Sequence, residues 1–345
     1  MFKHKVAIVG ATGFTGSELV RILINHPSVE ITAITSESRA GEKFSDVHPF
    51  FEQICDLELI KANELKTSEI DLAFLALPHG VSMDYVEKFK GSVMKLVDLS
   101  GDFRLSSPEV YSEWYPKNHT YPEGFENACY GIPELYRNEI KGSSLVANPG
   151  CYPTSAILAI SPLLKDGLVQ AEGIIIDSKS GVTGAGIKAK PVNHFSAVND
   201  NFKAYGIKTH RHSIEIQENA NRQSGSQTSI QFTPHLLPVD RGILSTTYLR
   251  PDGDVDQDQI DETFKKHYAS EPFIRLRTSA PSIKEVRGTN YCDLFVTYDK
   301  RTGNIIVVTA IDNLVKGAAG QAVQNMNIIL GLDETEGLNQ VPLQP

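Results

Sequence analysis

The first 35 residues constrain the fold more than any other stretch of the chain. Lys5-Val-Ala-Ile-Val9 is continuously apolar after its lysine and ends at a glycine, which predicts a short buried strand. Gly10-Ala-Thr-Gly-Phe-Thr-Gly16 follows, and then Ser17–Ile24 carries Leu19, Ile22 and Leu23 at the spacing of one helix face. Pro27 stops that helix, and Val29–Thr35 predicts a second strand. Strand, glycine turn, helix and strand within about 30 residues is the setting in which a glycine motif seats a dinucleotide. Gly10 suits the tight turn, Gly13 the approach of a pyrophosphate to the helix N-terminus, and Gly16 the close packing of helix on strand. Thr12 stretches the usual G-x-G-x-x-G to G-x-x-G-x-x-G. Phe14 and Thr15 complete the turn and count with it as cofactor-side residues.

Composition narrows the class. At about 150 residues per domain, 345 residues suggest two domains. A net charge of −9 gives no footprint for nucleic acid or an anionic membrane, while leaving room for a local basic pocket. The four cysteines form no C-x-x-C pair, so free thiols in a reducing compartment are expected and a metal site is not. No apolar run reaches the ~20 residues of a membrane helix. Lys3 and Lys5 precede Val6–Val9, but polar residues interrupt that run at once, so no secretion signal is expected and the cytoplasm is.

The second strand runs into Ser36-Glu-Ser-Arg39. Ser36 and Ser38 offer hydroxyls and Arg39 a fork for a 2′-phosphate, which favours NADP; Glu37 argues for NAD. Two further strands end in Pro78-His79-Gly80 and in Ser100-Gly-Asp-Phe-Arg104. Ligands gather at the carboxyl ends of strands in open α/β sheets, so Pro78 and His79 should face cofactor and Arg104 an anion. A salt bridge from Arg104 to Asp98 or Asp102 is the alternative.

Asn148-Pro-Gly-Cys151-Tyr-Pro-Thr154 turns the chain sharply before a helix expected from Thr154 to Leu164. A thiol at a helix N-terminus has a lowered pKa, and thiolate is the useful nucleophile for carbonyl chemistry. His210-Arg-His212 is the one histidine cluster, and its two rings could share a pocket. Ser178–Gly186 is a second glycine-rich loop, whose backbone donors at Ser180, Gly181 and Gly184 could hold an anion. Lys188, Lys190 and Arg211 add positive charge. Later strands suit a mixed or antiparallel sheet, and the small residues from Gly317 to Gly320 in the last helical segment imply close backbone approach, toward the cofactor domain.

Together, Gly10–Gly16, Asn148–Thr154, His210-Arg-His212 and Asp312-Asn-Leu-Val-Lys-Gly-Ala-Ala-Gly-Gln-Ala322 resemble the N-acetyl-γ-glutamyl-phosphate reductases, relatives of the aspartate-semialdehyde dehydrogenases. The likeness spans nearly the whole chain. The expected fold is α/β: a Rossmann-like doubly wound NADP-binding domain, 1–147 with 316–345, and an α+β catalytic and oligomerisation domain, 148–315, with the active site between them. The resemblance implies a homodimer or homotetramer that takes NADP(H), an acyl phosphate and inorganic phosphate. It also implies reduction of N-acetyl-L-glutamyl 5-phosphate to the semialdehyde, in arginine biosynthesis, through a thioester on Cys151. His212 resembles the acid/base group and His210 an orienting one; Arg104 looks like the phosphate holder, with Asn148, Arg211 and Lys188 on the substrate side. Ser180, Gly181, Gly184 and Asn313 look like cofactor contacts. A sister reductase for aspartyl or aminoadipyl phosphate, a redox sensor without turnover, and a Cys-His hydrolase stand as alternatives.

Overall fold

The computed structural model describes residues 3–343. The chain divides into two compact units, Met1–Pro149 with Ala318–Asn339, and Gly150–Gly317 with Gln340–Pro345. Sequence patterning gives the whole C-terminal tail to the first domain. The structure instead ties residues 340–343 to the second unit, where the Leu343 N–H donates to the Arg287 carbonyl at 2.9 Å. Residues 1, 2, 344 and 345 lie outside the described residues.

In the first unit, seven strands form one sheet: β1 (His4–Val9), β2 (Val29–Thr35), β3 (Leu59–Ile60), β4 (Leu72–Leu75), β5 (Lys95–Asp98), β6 (Ala128–Tyr130) and β7 (Leu145–Ala147). Every pairing is parallel and the order is β3-β2-β1-β4-β5-β7-β6. Val6–Val9 and Leu72–Leu75 are wholly buried, as strands covered on both faces must be. The order reverses between β1 and β4, so the loops after these strands diverge and leave a crevice at their carboxyl ends. The Gly320–Leu330 helix packs on the Pro133–Gly142 helix of the same unit. Its buried Gln321 and Asn325 both donate to the Gly131 carbonyl, at 2.8 and 3.0 Å. These buried amides explain why the helix carries no simple apolar stripe: it caps backbone as well as filling space.

The second unit is built on a mixed sheet of β8 (Ile174–Ser180), β9 (Lys203–Ala204), β10 (Ile230–Leu236), β11 (Ile243–Leu249), β12 (Ile274–Leu276), β13 (Cys292–Asp299) and β14 (Asn304–Ile311), in the order β12-β13-β14-β11-β8-β10-β9. Helices cover one face. The other is partly open: Ile175 is 46% and Tyr248 37% exposed, and they are cross-strand neighbours. The central helix, Cys151–Lys165, is buried at every position from Tyr152 to Leu164. Pro162 within it cannot donate to Leu158, and the Tyr268 hydroxyl takes that freed carbonyl at 2.8 Å. Hydroxyls of Ser155, Ser245 and Ser178 link the helix to β11 and β8 at 2.8 and 2.7 Å.

Candidate active site

Sequence spacing starts the Cys151 helix at Thr154; the structure starts it at Cys151 itself, with Gly150 as an extended N-cap lacking any side-chain cap. The thiol therefore sits in the first helical turn, where the helix dipole favours thiolate. It is half-buried, whereas Cys55, Cys129 and Cys292 are buried. His212 likewise opens a helix, His212–Ser224, which packs against the first.

Glu215 joins these two helix starts. Its Oε1 accepts from the Gly150 N–H at 2.8 Å, and its Oε2 lies 4.0 Å from His212 Nε2. Both side chains are buried. Sequence reasoning missed Glu215; the available signal was its place three residues after His212 on a helix.

His210 differs. Its Nδ1 accepts from the His212 N–H at 3.2 Å, and its ring lies edge-on to Tyr152, Tyr205, Phe232 and His212. Burial, aided by Arg211, pushes its imidazole down to about 4. A ring held neutral and used as an acceptor suits orientation, not proton transfer near neutrality.

Gly317 lies against the cysteine. A Cβ there would fall 2.8 Å from Cys151 Cβ. Gly317 belongs to a π-helical turn, Val315–Ala319, whose start is held by Asp312 accepting from the Leu314 and Val315 N–H groups at 2.8 and 3.1 Å. For Gly317 the close approach inferred from small residues is to Cys151, within its own unit.

The first unit's glycine turn combines close backbone packing with open space at a helix start. Gly10 has φ +89°, and a Cβ on it would meet the Ala76 carbonyl at 2.6 Å; a Cβ on Gly16 would meet the Gly10 carbonyl at 2.6 Å. A Cβ on Gly13 would meet nothing within 4 Å. Gly13 caps the Phe14–Leu23 helix, which has no side-chain cap and no acidic first-turn residue. Phe14 and Thr15 open this helix three residues earlier than sequence spacing suggests, so its first amides face the open space at Gly13. That space and those donors fit a pyrophosphate.

At the end of β2, Thr12 and Ser36 hydroxyls stand 3.5 Å apart. Ser38 is exposed. Arg39 forms an exposed pair with Glu42 at 2.6 Å, weak enough for a phosphate to displace. Glu37 turns away, accepting from the Ala62 N–H and the Tyr85 hydroxyl at 3.1 and 3.3 Å. The one residue that argued for NAD is thus engaged elsewhere, and the group fits NADP.

After β4 and β5, the Gly101 N–H donates to His79 Nδ1 at 2.6 Å, beside Pro78. Arg104 is buried; its Nε donates to the Asn148 carbonyl and one Nη to the Leu99 carbonyl, both at 2.7 Å. Asn148 departs from its expected substrate role. Fully buried, its amide donates to the Ala318 carbonyl at 3.1 Å and accepts from Asn325 at 3.0 Å, making it a brace for Arg104.

The Ser180–Gly186 loop also departs from expectation. The Gly181, Val182 and Thr183 N–H groups donate to the carbonyls of Gly242, Val239 and Asp240, and those of Gly184 and Gly186 bond within the loop. These backbone donors are occupied, so the loop is no anion nest. Asn313 instead bridges Thr183 Oγ1 and the Gly242 N–H at 2.9 and 2.8 Å, and a Cβ on Gly184 would lie 3.4 Å from Ser180 Oγ. Lys188 and Arg211 are exposed, and among the described residues no hydrogen bond or ion pair joins Lys188 to the Cys151 cluster.

Residues 5–143 match the family described as semialdehyde dehydrogenase, NAD binding domain, and residues 151–313 that described as semialdehyde dehydrogenase, dimerisation domain. The chain is 50% identical to the N-acetyl-gamma-glutamyl-phosphate reductase of Pelotomaculum thermopropionicum and 49% identical to that of Desulfotalea psychrophila, each over 99% of both chains. In fold it is similar to aspartate semialdehyde dehydrogenase II from Vibrio cholerae (TM-score 0.74, 16% identity, covering 96% of this chain and 99% of that one). It is likewise similar to aspartate semialdehyde dehydrogenase with NADP from Candida albicans (TM-score 0.71, 16% identity, covering 95% and 98%). Full-length identity near one half, together with the two matching semialdehyde dehydrogenase domains, places the chain in the N-acetyl-gamma-glutamyl-phosphate reductase family.

Proposed function

We propose that the chain reduces N-acetyl-L-glutamyl 5-phosphate to N-acetyl-L-glutamate 5-semialdehyde with NADPH, a step of arginine biosynthesis. The observation that carries this reading is the single carboxylate, Glu215, bonded to the start of the Cys151 helix and 4.0 Å from His212 Nε2. His212 takes the thiol proton, and Sγ of Cys151 attacks the acyl carbon. The C–O bond to phosphate breaks, and phosphate leaves from the hold of Arg104. NADPH, when bound on the Gly10–Gly16 turn with Ser36, Ser38 and Arg39 at its 2′-phosphate, supplies the hydride that converts the thioester to the aldehyde. As the C–S bond breaks, the departing thiolate recovers its proton from His212. His210 keeps the His212 backbone in place, and Asn313 holds the Thr183 loop beside Ser180 and Gly184 on the cofactor side.

Two copies associate through the open face of the second sheet, where Ile175, Tyr248 and Ile306 form a cross-strand row; a homodimer or homotetramer results. No described helix is long and apolar enough to cross a membrane. Four free cysteines suit the cytoplasm.

The reverse reaction tests the reading. With NADP+, inorganic phosphate and N-acetylglutamate semialdehyde, phosphate-dependent NADPH absorbance is expected. Signal with aspartate semialdehyde alone would keep the chemistry and change the substrate. No signal with any semialdehyde would remove the activity.

A further inference from the structure

Two segments of the first unit, Ala76–Met83 after β4, which ends in the first turn of the Ser82–Lys88 helix, and Leu99–Arg104 after β5, carry His79 and Arg104, and three hydrogen bonds cross between them. One runs from the Gly101 N–H to His79 Nδ1. The other two converge on Asp102: the Gly80 N–H reaches Oδ1 at 2.7 Å and the Met83 N–H reaches Oδ2 at 3.1 Å. The Tyr111 hydroxyl adds a third donor to Oδ1 at 3.1 Å. Asp102 is fully buried, and all three donors are uncharged. Its own N–H donates to Ser100 Oγ, which in turn donates to the buried Asp98. Burial, with the Asp102 carboxyl beside it, pushes the Asp98 carboxyl up to about 6.

A buried carboxylate is expensive to keep unless it does something an uncharged residue would not. An asparagine has one acceptor oxygen and would set its NH2 against an incoming N–H. Only a carboxylate accepts from both loop amides and from Tyr111 together. The register that results brings the Gly101 N–H to His79 Nδ1 and so leaves the ring hydrogen on Nε2, making His79 a donor. It also fixes the turn from which Arg104 reaches the Leu99 and Asn148 carbonyls.

We infer that Asp102 is a positioning residue for anion binding: its carboxylate clamps the two loops so that Arg104 and His79 present donors to the phosphate groups of substrate and cofactor. This rests on the reductase reading above, and its test separates the two. In the reverse assay, Asp102→Asn should raise KM for inorganic phosphate at least tenfold with a smaller fall in kcat. NADP+ affinity, measured by fluorescence titration without turnover, should weaken several-fold. Tyr111→Phe removes one donor but leaves both loop amides engaged, so it should lower the melting temperature while KM for phosphate stays within twofold. Should Asp102→Asn fail to fold, Ser100→Ala removes the acceptor of the Asp102 N–H and should raise KM for phosphate two- to fivefold. Melting shifts without any change in KM for phosphate or in NADP+ affinity, in whichever of Asp102→Asn and Ser100→Ala folds, would overturn the proposal. Wild-type protein inactive on every semialdehyde would overturn the reductase reading instead, and the NADP+ titration would still judge Asp102.

Discussion

Gly150 and Glu215, far apart in sequence, are joined by a 2.8 Å hydrogen bond that ties the start of the cysteine helix to the start of the histidine helix. The same carboxylate faces His212. Glu215→Gln keeps an acceptor for the Gly150 N–H and removes the charge. The kcat should then fall about tenfold or more, toward the 10²- to 10⁴-fold loss typical of removing a general base, expected for His212→Asn. An unchanged kcat in Glu215→Gln would argue against the pairing.

Cys151→Ala should abolish turnover while NADPH still quenches or shifts protein fluorescence with near wild-type affinity. Retained phosphate-dependent turnover would remove the covalent step.

Gly317→Ala places a methyl 2.8 Å from Cys151 Cβ. Helix and π-turn cannot both keep their positions, at a cost of about 1–3 kcal/mol for an overpacked site. Misplacing a nucleophile by about 1 Å can cost a hundredfold in rate, so kcat should drop by that order with NADPH binding intact. Wild-type kcat in this variant would show that the thiol tolerates displacement.

His210 is held down at about 4 by burial, against an ordinary value near 6.5. The unfolded chain therefore binds more protons between these values. Neutral His210 contributes stability fully above about pH 6.5, and that contribution is lost as pH falls toward 4. His210→Asn keeps an acceptor for the His212 N–H and cannot titrate. Its urea midpoint should fall less steeply than wild type between pH 6.5 and 4. Some slope should remain, because burial lowers His26, His48 and His119 as well. Parallel curves for the two proteins would contradict the assignment.

Arg39 lies in an exposed pair with Glu42. Arg39→Ala should weaken NADP+ binding about 10- to 100-fold, the loss expected for one charge-assisted contact, and leave NAD+ binding nearly unchanged. Equal losses for both cofactors would place the 2′-phosphate elsewhere.

Elements whose signals are local are legible in the chain's own residues. A glycine-punctuated turn between two buried strands needs only its own residues to be recognised, and so does a cysteine placed behind Asn-Pro-Gly. The parallel sheet, the mixed sheet and the thiol at a helix start all follow from such runs. What tertiary structure alone decided are the partners brought from a distance. Glu215 has no mark of its own until the helices at Gly150 and His212 pack together. The resemblance puts Asn148 on the substrate side, but the last helix engages its amide, and the Val239–Gly242 turn takes the donors of the Gly181 loop. A buried polar group must find a partner, and in each of these cases the partner comes from another part of the chain, where no short-range pattern reaches.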